Sequence, residues 1–237
     1  MTLRTGTTQP FLDKLDVATT KKDCGLYLFK GFLSPKEAKA AFNILVDDSK
    51  FPWDTKPELN GEPLTQKSCE HELLESAKEQ KKKKGKIKYN SNLEGLLKVG
   101  ELTARIEKDF DVKVSFVFCN RFPNPDHILD WHKNTYGEHI CVLTLGSKRR
   151  MEFRNNKTKK IETMTPRAGD LYMMPLNMNT THLHRVCSAN ETDPKGSNSD
   201  VLLSFVFFFK APKYAKEFKI PKKKKENMMG FLKSVLA

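Results

Sequence analysis

Two periods divide the chain. Up to about residue 110 the apolar positions recur at helical spacing, and from 112 they alternate or gather in short blocks between turn-formers. "SPKEAKAAFNILVDDS" offers Ser34 as a cap, Pro35 at the first helical position and Glu37 to complete a capping box, which predicts a helix over 34–47. "SNLEGLLKVGELTARIEKDF" brings Leu93, Leu97, Leu102, Ile106 and Phe110 near one stripe, so an amphipathic helix is expected over 92–110. "GLYLFKGF" (25–32), ahead of the first helix, reads as a strand. After 111 come "VKVSFVFCN", "HILDWH", "HICVLTLG", "RRMEFRN", "KKIETMT", "DLYMMP" and "DVLLSFVFFFK", broken by the turn signals "NPD", "RNNK" and "RAGD". Helices first and strands after predict an α+β protein in which helices pack on a sandwich or jelly roll.

The polar stretches set the boundaries. Residues 1–22 are Thr-rich and read as a flexible arm, 23–212 as one folded domain, and 213–237 as a basic tail. Within the domain, 48–92 is a long polar insert ending in "KEQKKKKGKIKYN", a length that points to function or disorder before scaffolding. A chain of 237 residues with 38% hydrophobic content and 16 Phe can bury one sizeable core, and a monomer is expected. The formal net charge of +13 draws polyanions: phosphates, acidic lipid or an acidic protein.

No apolar run approaches the roughly 20 residues of a membrane span, and the N-terminus lacks the apolar core of a signal peptide. An intracellular protein, nuclear or cytoplasmic, is therefore expected; "PKKKKE" (221–226) reads either as an import signal or as solvated tail. Five cysteines without a CxxC pair fit reduced, mostly buried and inert thiols.

Metal chemistry is concentrated in "ILDWHKNTYGEH" (128–139) and "THLHRV" (181–186). On a strand, residues i and i+2 point the same way, so His132 and Asn134 share a side. His182 or His184, on a distant stretch, can supply a further ligand. An iron(II) centre for oxygen chemistry takes two imidazoles and a carboxylate on one side and keeps positions open for cosubstrate and oxygen. Here the third position holds an amide.

The run "FCNRF…DHILDWHKNTYGEHICVLTLGSKRRMEFR…RAGDLYMMP…THLHRV…LLSFVFFFK", with "GLYLFKGFLSPKEAKAAFNIL" before it, resembles the AlkB-like branch of the iron(II)- and 2-oxoglutarate-dependent dioxygenases over about residues 24–210. The resemblance implies a double-stranded β-helix, Fe(II) and 2-oxoglutarate as cofactors, and oxidation of N-alkyl groups on nucleic acid. It implies His132, Asn134 and His184 as metal ligands and catalytic residues, with His182 the weaker distal choice. For the cosubstrate it implies Asn120, with Phe122 where the family has a tyrosine. The final strand lacks the family's arginine, which leaves Ser204, Lys210, and Arg150 or Arg149 from another strand, as replacements. Trp53, Trp131 and Tyr136 are the candidate base-stacking aromatics, and Lys81, Lys82, Lys83 and Lys84 the candidate contacts to DNA or RNA. A neutral amide at 134 and no guanidinium on the last strand weaken metal and cosubstrate binding, so a second reading stands beside the enzyme: a degenerate jelly roll that binds nucleic acid or protein without turnover.

Overall fold

The structure, a computed structural model, describes residues 19–53, 58–59, 62–63, 67–71, 93–134, 139–192 and 201–210. Its elements run β1 (Thr19–Lys21), β2 (Tyr27–Phe29), α1 (Pro35–Leu45), β3 (Glu58–Leu59), β4 (Glu62–Pro63), β5 (Lys67–His71), α2 (Leu93–Phe110), β6 (Lys113–Phe122), β7 (Leu129–His132) and β8 (His139–Gly146). The chain continues through β9 (Met151–Asn155), β10 (Ile161–Met164), β11 (Leu171–Met174), α3 (Leu176–Thr181), β12 (His182–Val186), α4 (Ala189–Thr192) and β13 (Leu202–Lys210). The larger sheet has the order β1-β2-β11-β8-β13-β6-β5 and the smaller β10-β9-β12-β7, with antiparallel pairing throughout. This is the expected α+β jelly roll, with helices packed on one side.

Alternation explains the layering. On β13, Phe205, Phe207 and Phe209 face α1 and α2, packing with Ala38, Ala41, Leu45, Val99, Leu102, Ile106 and Phe110. Leu202, Val206 and Phe208 point the other way, into a second core shared with Met151, Phe153, Met164 and Val186 of the smaller sheet. The interior of the jelly roll is that second core, and each fully buried phenylalanine around it contributes about 1.5–3 kcal/mol. α1 starts as its sequence dictates: Glu37 N–H donates to Ser34 Oγ at 3.3 Å, and Ser34 N–H donates to Glu37 Oε2 at 2.8 Å. At the "RAGD" turn Gly169 has φ +88°, and Asp170 accepts from the backbone N–H of Gly31 (2.9 Å) and Arg167 (2.8 Å), which ties the turn to the end of β2.

Three expectations are corrected. The stripe of α2 runs through Leu96, Val99, Leu102, Ile106 and Phe110; Leu97 lies about 100° off it and is 57% exposed. The polar insert is partly scaffold, because β5 extends the larger sheet by pairing Lys67–His71 with β6. The end of the N-terminal arm is likewise structured, since Thr19–Lys21 pairs with β2. The described cysteines fit the expectation: Cys119, Cys141 and Cys187 are buried, and burial pushes the half-buried Cys24 thiol up to about 11. Among the described residues no helix is long and apolar enough to cross a membrane.

Candidate metal centre

β7 and β12 bring two histidines together across the smaller sheet. His184 stands opposite His132 in the ladder and Val186 opposite Leu129, so β7 spends three residues where β12 spends two. The extra residue is a β-bulge, and it lets both Leu129 and His132 face the interior despite their odd spacing. The two imidazole rings lie 4.2 Å apart between centroids, and Phe153 stacks on His184 at 6.2 Å.

The bulge also fixes the tautomer of His132. Its Nδ1 lies 2.7 Å from the Asp130 carbonyl, which can only accept, so Nδ1 carries the proton and Nε2 keeps a lone pair for a metal. Burial holds both imidazoles below the ordinary histidine range; His184 goes furthest, driven by burial and then by His132 beside it. Neutral imidazoles are the metal-ligating form.

Asn134 completes the group from the residues after β7. Its Nδ2 lies 3.5 Å from His184 Nε2. Asn179 of α3, 3% exposed, fastens this segment from both sides: its Nδ2 donates to the Asn134 carbonyl at 2.7 Å and its Oδ1 accepts from the Asn134 N–H at 3.2 Å. Nothing in "LNMNTT" signalled that role in the sequence. Among the described residues no three of His, Cys, Asp or Glu converge, because the third member here is an amide. Two neutral imidazoles and an amide oxygen fit a divalent metal with two strong donors and one weak one. His182, 9% exposed, sits two register positions away and engages Asn155 through Nε2 (3.3 Å), so it belongs to the β9–β12 pairing beside the group.

The expected cosubstrate residues divide. Phe122 and Asn120 lie on the interior side of β6, and Ser204, 7% exposed, stands directly opposite Asn120 on β13. Asn120 Oδ1 is buried and has no hydrogen-bond partner, an orphaned polar atom facing the interior. Lys210 is the last residue of β13. Arg150 points outward, contrary to expectation: its Nε donates to Glu152 at 2.9 Å and its Nη1 to the Glu191 carbonyl. Arg149 is the inward neighbour, 1% exposed, and the reason is parity with Met151 and Phe153. That period-two signal was present in the sequence and selects 149 over 150.

The tryptophans do not reach the metal group. Trp53 is 9% exposed in the core between the larger sheet and the helices, with Nε1 donating to the Leu45 carbonyl at 2.9 Å and rings of Phe51 and Phe205 against it. Trp131 lies on the outer side of the smaller sheet beneath the guanidinium groups of Arg154 (4.3 Å) and Arg185 (5.3 Å). Arg185 in turn binds Glu152 at 2.8 Å, so Trp131 staples β7 to β9 and β12 from outside. Tyr136 and Lys81 to Lys84 lie outside the described residues.

Buried neutral histidines make stability depend on pH. His184 has its folded value depressed, so below about 6.5 the unfolded chain binds a proton that the native state refuses, and stability falls as pH falls, by up to about 1.4 kcal/mol per pH unit. Denaturant midpoints of chelator-treated protein at pH 7 and pH 5.5 should therefore drop toward acid, and His184→Gln should flatten the drop. Parallel profiles for the two proteins would show that folding leaves the proton affinity of His184 unchanged.

The jelly roll thus brings two imidazoles together between its sheets, that of His132 with its tautomer fixed. The chain belongs to the 2OG-Fe(II) oxygenase superfamily, whose family model matches residues 25–213. Membership implies use of Fe(II) and 2-oxoglutarate. No curated protein matches the sequence. Among solved structures the chain is similar to a 2OG-Fe(II) oxygenase family oxidoreductase from Burkholderia pseudomallei, at 11% identity over 88% of this chain and 92% of that one, with a TM-score of 0.48. It is also similar to a prolyl hydroxylase from Trichoplax adhaerens, in complex with a hypoxia inducible factor oxygen degradation domain peptide fragment. The identity there is 11% over 84% of this chain and 89% of that one, with a TM-score of 0.49.

Proposed function

We propose that this protein is an iron(II)- and 2-oxoglutarate-dependent oxygenase of the AlkB-like branch that oxidises N-alkyl groups on nucleic acid. The observation that carries the oxygenase reading is the His132–His184 pair, inward-facing, neutral and with His132 Nε2 left to ligate. Asn134 is the third, weaker ligand, and Asn179 positions it. When bound, iron(II) with 2-oxoglutarate and oxygen supplies hydroxylation of a carbon, and a hydroxylated N-methyl group decomposes to formaldehyde and the free amine. The chain's own residues would hold the metal, exclude water with Phe153 and Val186, and admit substrate past the end of β9.

Charge supports the nucleic-acid part. The β9–β10 turn lies just beyond the His184 register and exposes Lys157, Lys159 and Lys160, and Lys133, next to His132, is exposed as well. With "KKKKGKIK" (81–88) and a net charge of +13, these lysines favour a phosphate-bearing substrate. Binding of a single-stranded oligonucleotide should then weaken with salt, with a log-log slope of about 0.7 per neutralised phosphate. Replacing Lys81 to Lys84 by glutamine should flatten the slope; absence of binding at low salt would remove nucleic acid as substrate. Formaldehyde release from an N-methylated oligonucleotide, supplied with iron(II) and 2-oxoglutarate, tests the reaction itself.

One observation favours the binding-module reading. The inward residues of β13 are Leu202, Ser204, Val206 and Phe208, none of them a cation. A protein that binds the oligonucleotide but forms no succinate from 2-oxoglutarate in its presence would be such a module.

A further inference from the structure

The two sheets present different outer sides. α1 and α2 pack on the larger one, whereas the outer side of the smaller one leaves Ile161 47% exposed and Leu183, Arg154 and Trp131 half-buried. Alternation decides which residues lie there. Phe153 and His184 face the interior, so Arg154 and Leu183, which stand opposite each other, face out, and Ile161 is the partner of Arg154 on β10. β9 and β7 flank β12 and so run roughly 10 Å apart, two strand spacings. The Arg154 guanidinium nevertheless lies 4.3 Å from the centre of the Trp131 ring, so its side chain reaches across β12 along the sheet.

The charges on this side do not balance. Arg185, also over Trp131 at 5.3 Å, is matched by Glu152 at 2.8 Å and Glu191 at 3.3 Å, and Arg150 by Glu152 at 2.9 Å. Arg154 has no acidic partner among the described residues, so a second, uncompensated guanidinium shares one indole with Arg185. Their repulsion is relieved by an anion laid over the pair. Lys133 falls on the same side, between the inward-facing His132 and Asn134, and with Lys157 and Lys159 of the β9–β10 turn it is exposed and has no acidic partner among the described residues. Lys160 lies within 4.0 Å of Asp23 and 3.9 Å of Glu162, and is already matched. Against Arg154, Lys133, Lys157 and Lys159 stands one exposed carboxylate, Asp130, which accepts from the Trp131 backbone N–H at 2.7 Å.

We propose that the outer side of the smaller sheet is a platform for single-stranded nucleic acid, on which Arg154, backed by Trp131, stacks one base while Lys133, Lys157 and Lys159 take neighbouring phosphates. A polyanion answers the charge, and a base answers the guanidinium held over an aromatic ring, since bases stack on guanidinium planes as they do on aromatic ones. The platform lies on the opposite side of the sheet from His132 and His184, so it grips nucleotides that flank the one presented to the interior. The proposal deepens the nucleic-acid reading above and rests on it for the class of partner, but not on the metal.

The test is fluorescence anisotropy with the full chain, without added metal or 2-oxoglutarate, on a short labelled oligothymidylate and on an abasic strand of the same length. Arg154→Ala should weaken binding of oligothymidylate about 10-fold, the scale of one stacked base. Arg154→Lys keeps the charge and loses the plane: it should lose nearly as much on oligothymidylate, yet bind the abasic strand as wild type does. That variant also carries the test if Arg154→Ala does not fold. Lys108→Ala, which removes an exposed charge from α2, should stay within about twofold of wild type. Arg154→Lys that binds oligothymidylate like wild type, or Arg154→Ala that loses no more than Lys108→Ala, overturns the platform and leaves the nucleic-acid reading standing. Displacement of the strand by poly-glutamate of equal charge marks a surface for acidic protein and overturns the platform too. Wild-type protein that binds neither strand at low salt overturns the nucleic-acid reading first and the proposal with it.

Discussion

Replacing Asn134 by aspartate is expected to raise iron(II) affinity by about 10- to 100-fold, the scale on which even the outer partners of a metal ligand act. The physical cause is one charge. Burial favours the neutral form of both histidines, and the amide of Asn134 adds a dipole but no anion. A carboxylate at 134 is nearly isosteric with the amide, and the Asn179 amide holds the backbone there by donating to the residue 134 carbonyl and accepting from its N–H, so the oxygen arrives in the same place. The metal-free variant should at the same time lose some stability, because a half-buried carboxylate beside His184 lacks a cation until the metal binds. Anaerobic competition against a chromophoric chelator measures the first effect and denaturant unfolding the second. Equal iron affinity in the two proteins would place residue 134 outside the coordination sphere.

Removing either histidine should abolish the site. A ligand that binds only the native state stabilises it by about 2.7 kcal/mol at a hundred times its dissociation constant. Wild-type protein should therefore melt higher with iron(II) or Mn(II) present, whereas His132→Ala and His184→Ala should show no metal-dependent shift. His132→Ala isolates the metal effect more cleanly, since His184 is 5% exposed and its truncation also leaves a cavity against Phe153. A metal-dependent shift that survives in His132→Ala would move the site elsewhere.

The sequence carried the architecture where local physics decides it. The cap at Ser34, the continuous apolar blocks of β8 and β13, and the two histidines on separate strands are all local signals. What it could not carry depends on pairing. The bulge in β7 changes parity between Leu129 and His132, and only the partner strand reveals it. Asn179 became a positioning residue because α3 folds back on the segment after β7, a contact 45 positions away in sequence. Trp53 and Trp131 looked like a mouth because aromatics near a candidate site are informative on average. In the fold, one fills the helix-side core and the other is capped by two arginines. Arg149 shows the converse: its burial follows from counting back by twos from Phe153 and Met151, a signal already present in the sequence.

The central claim is that His132 and His184 hold a metal between the sheets. Anomalous diffraction at the iron edge, from crystals of the full chain soaked with iron(II) under anaerobic conditions, tests it directly. One peak within bonding distance of Nε2 of both His132 and His184, on the side facing Asn134, is the predicted result. An occupied peak at any other pair of side chains, or density for a hydrogen bond between the two imidazoles with iron absent from that point at saturating concentration, would contradict it.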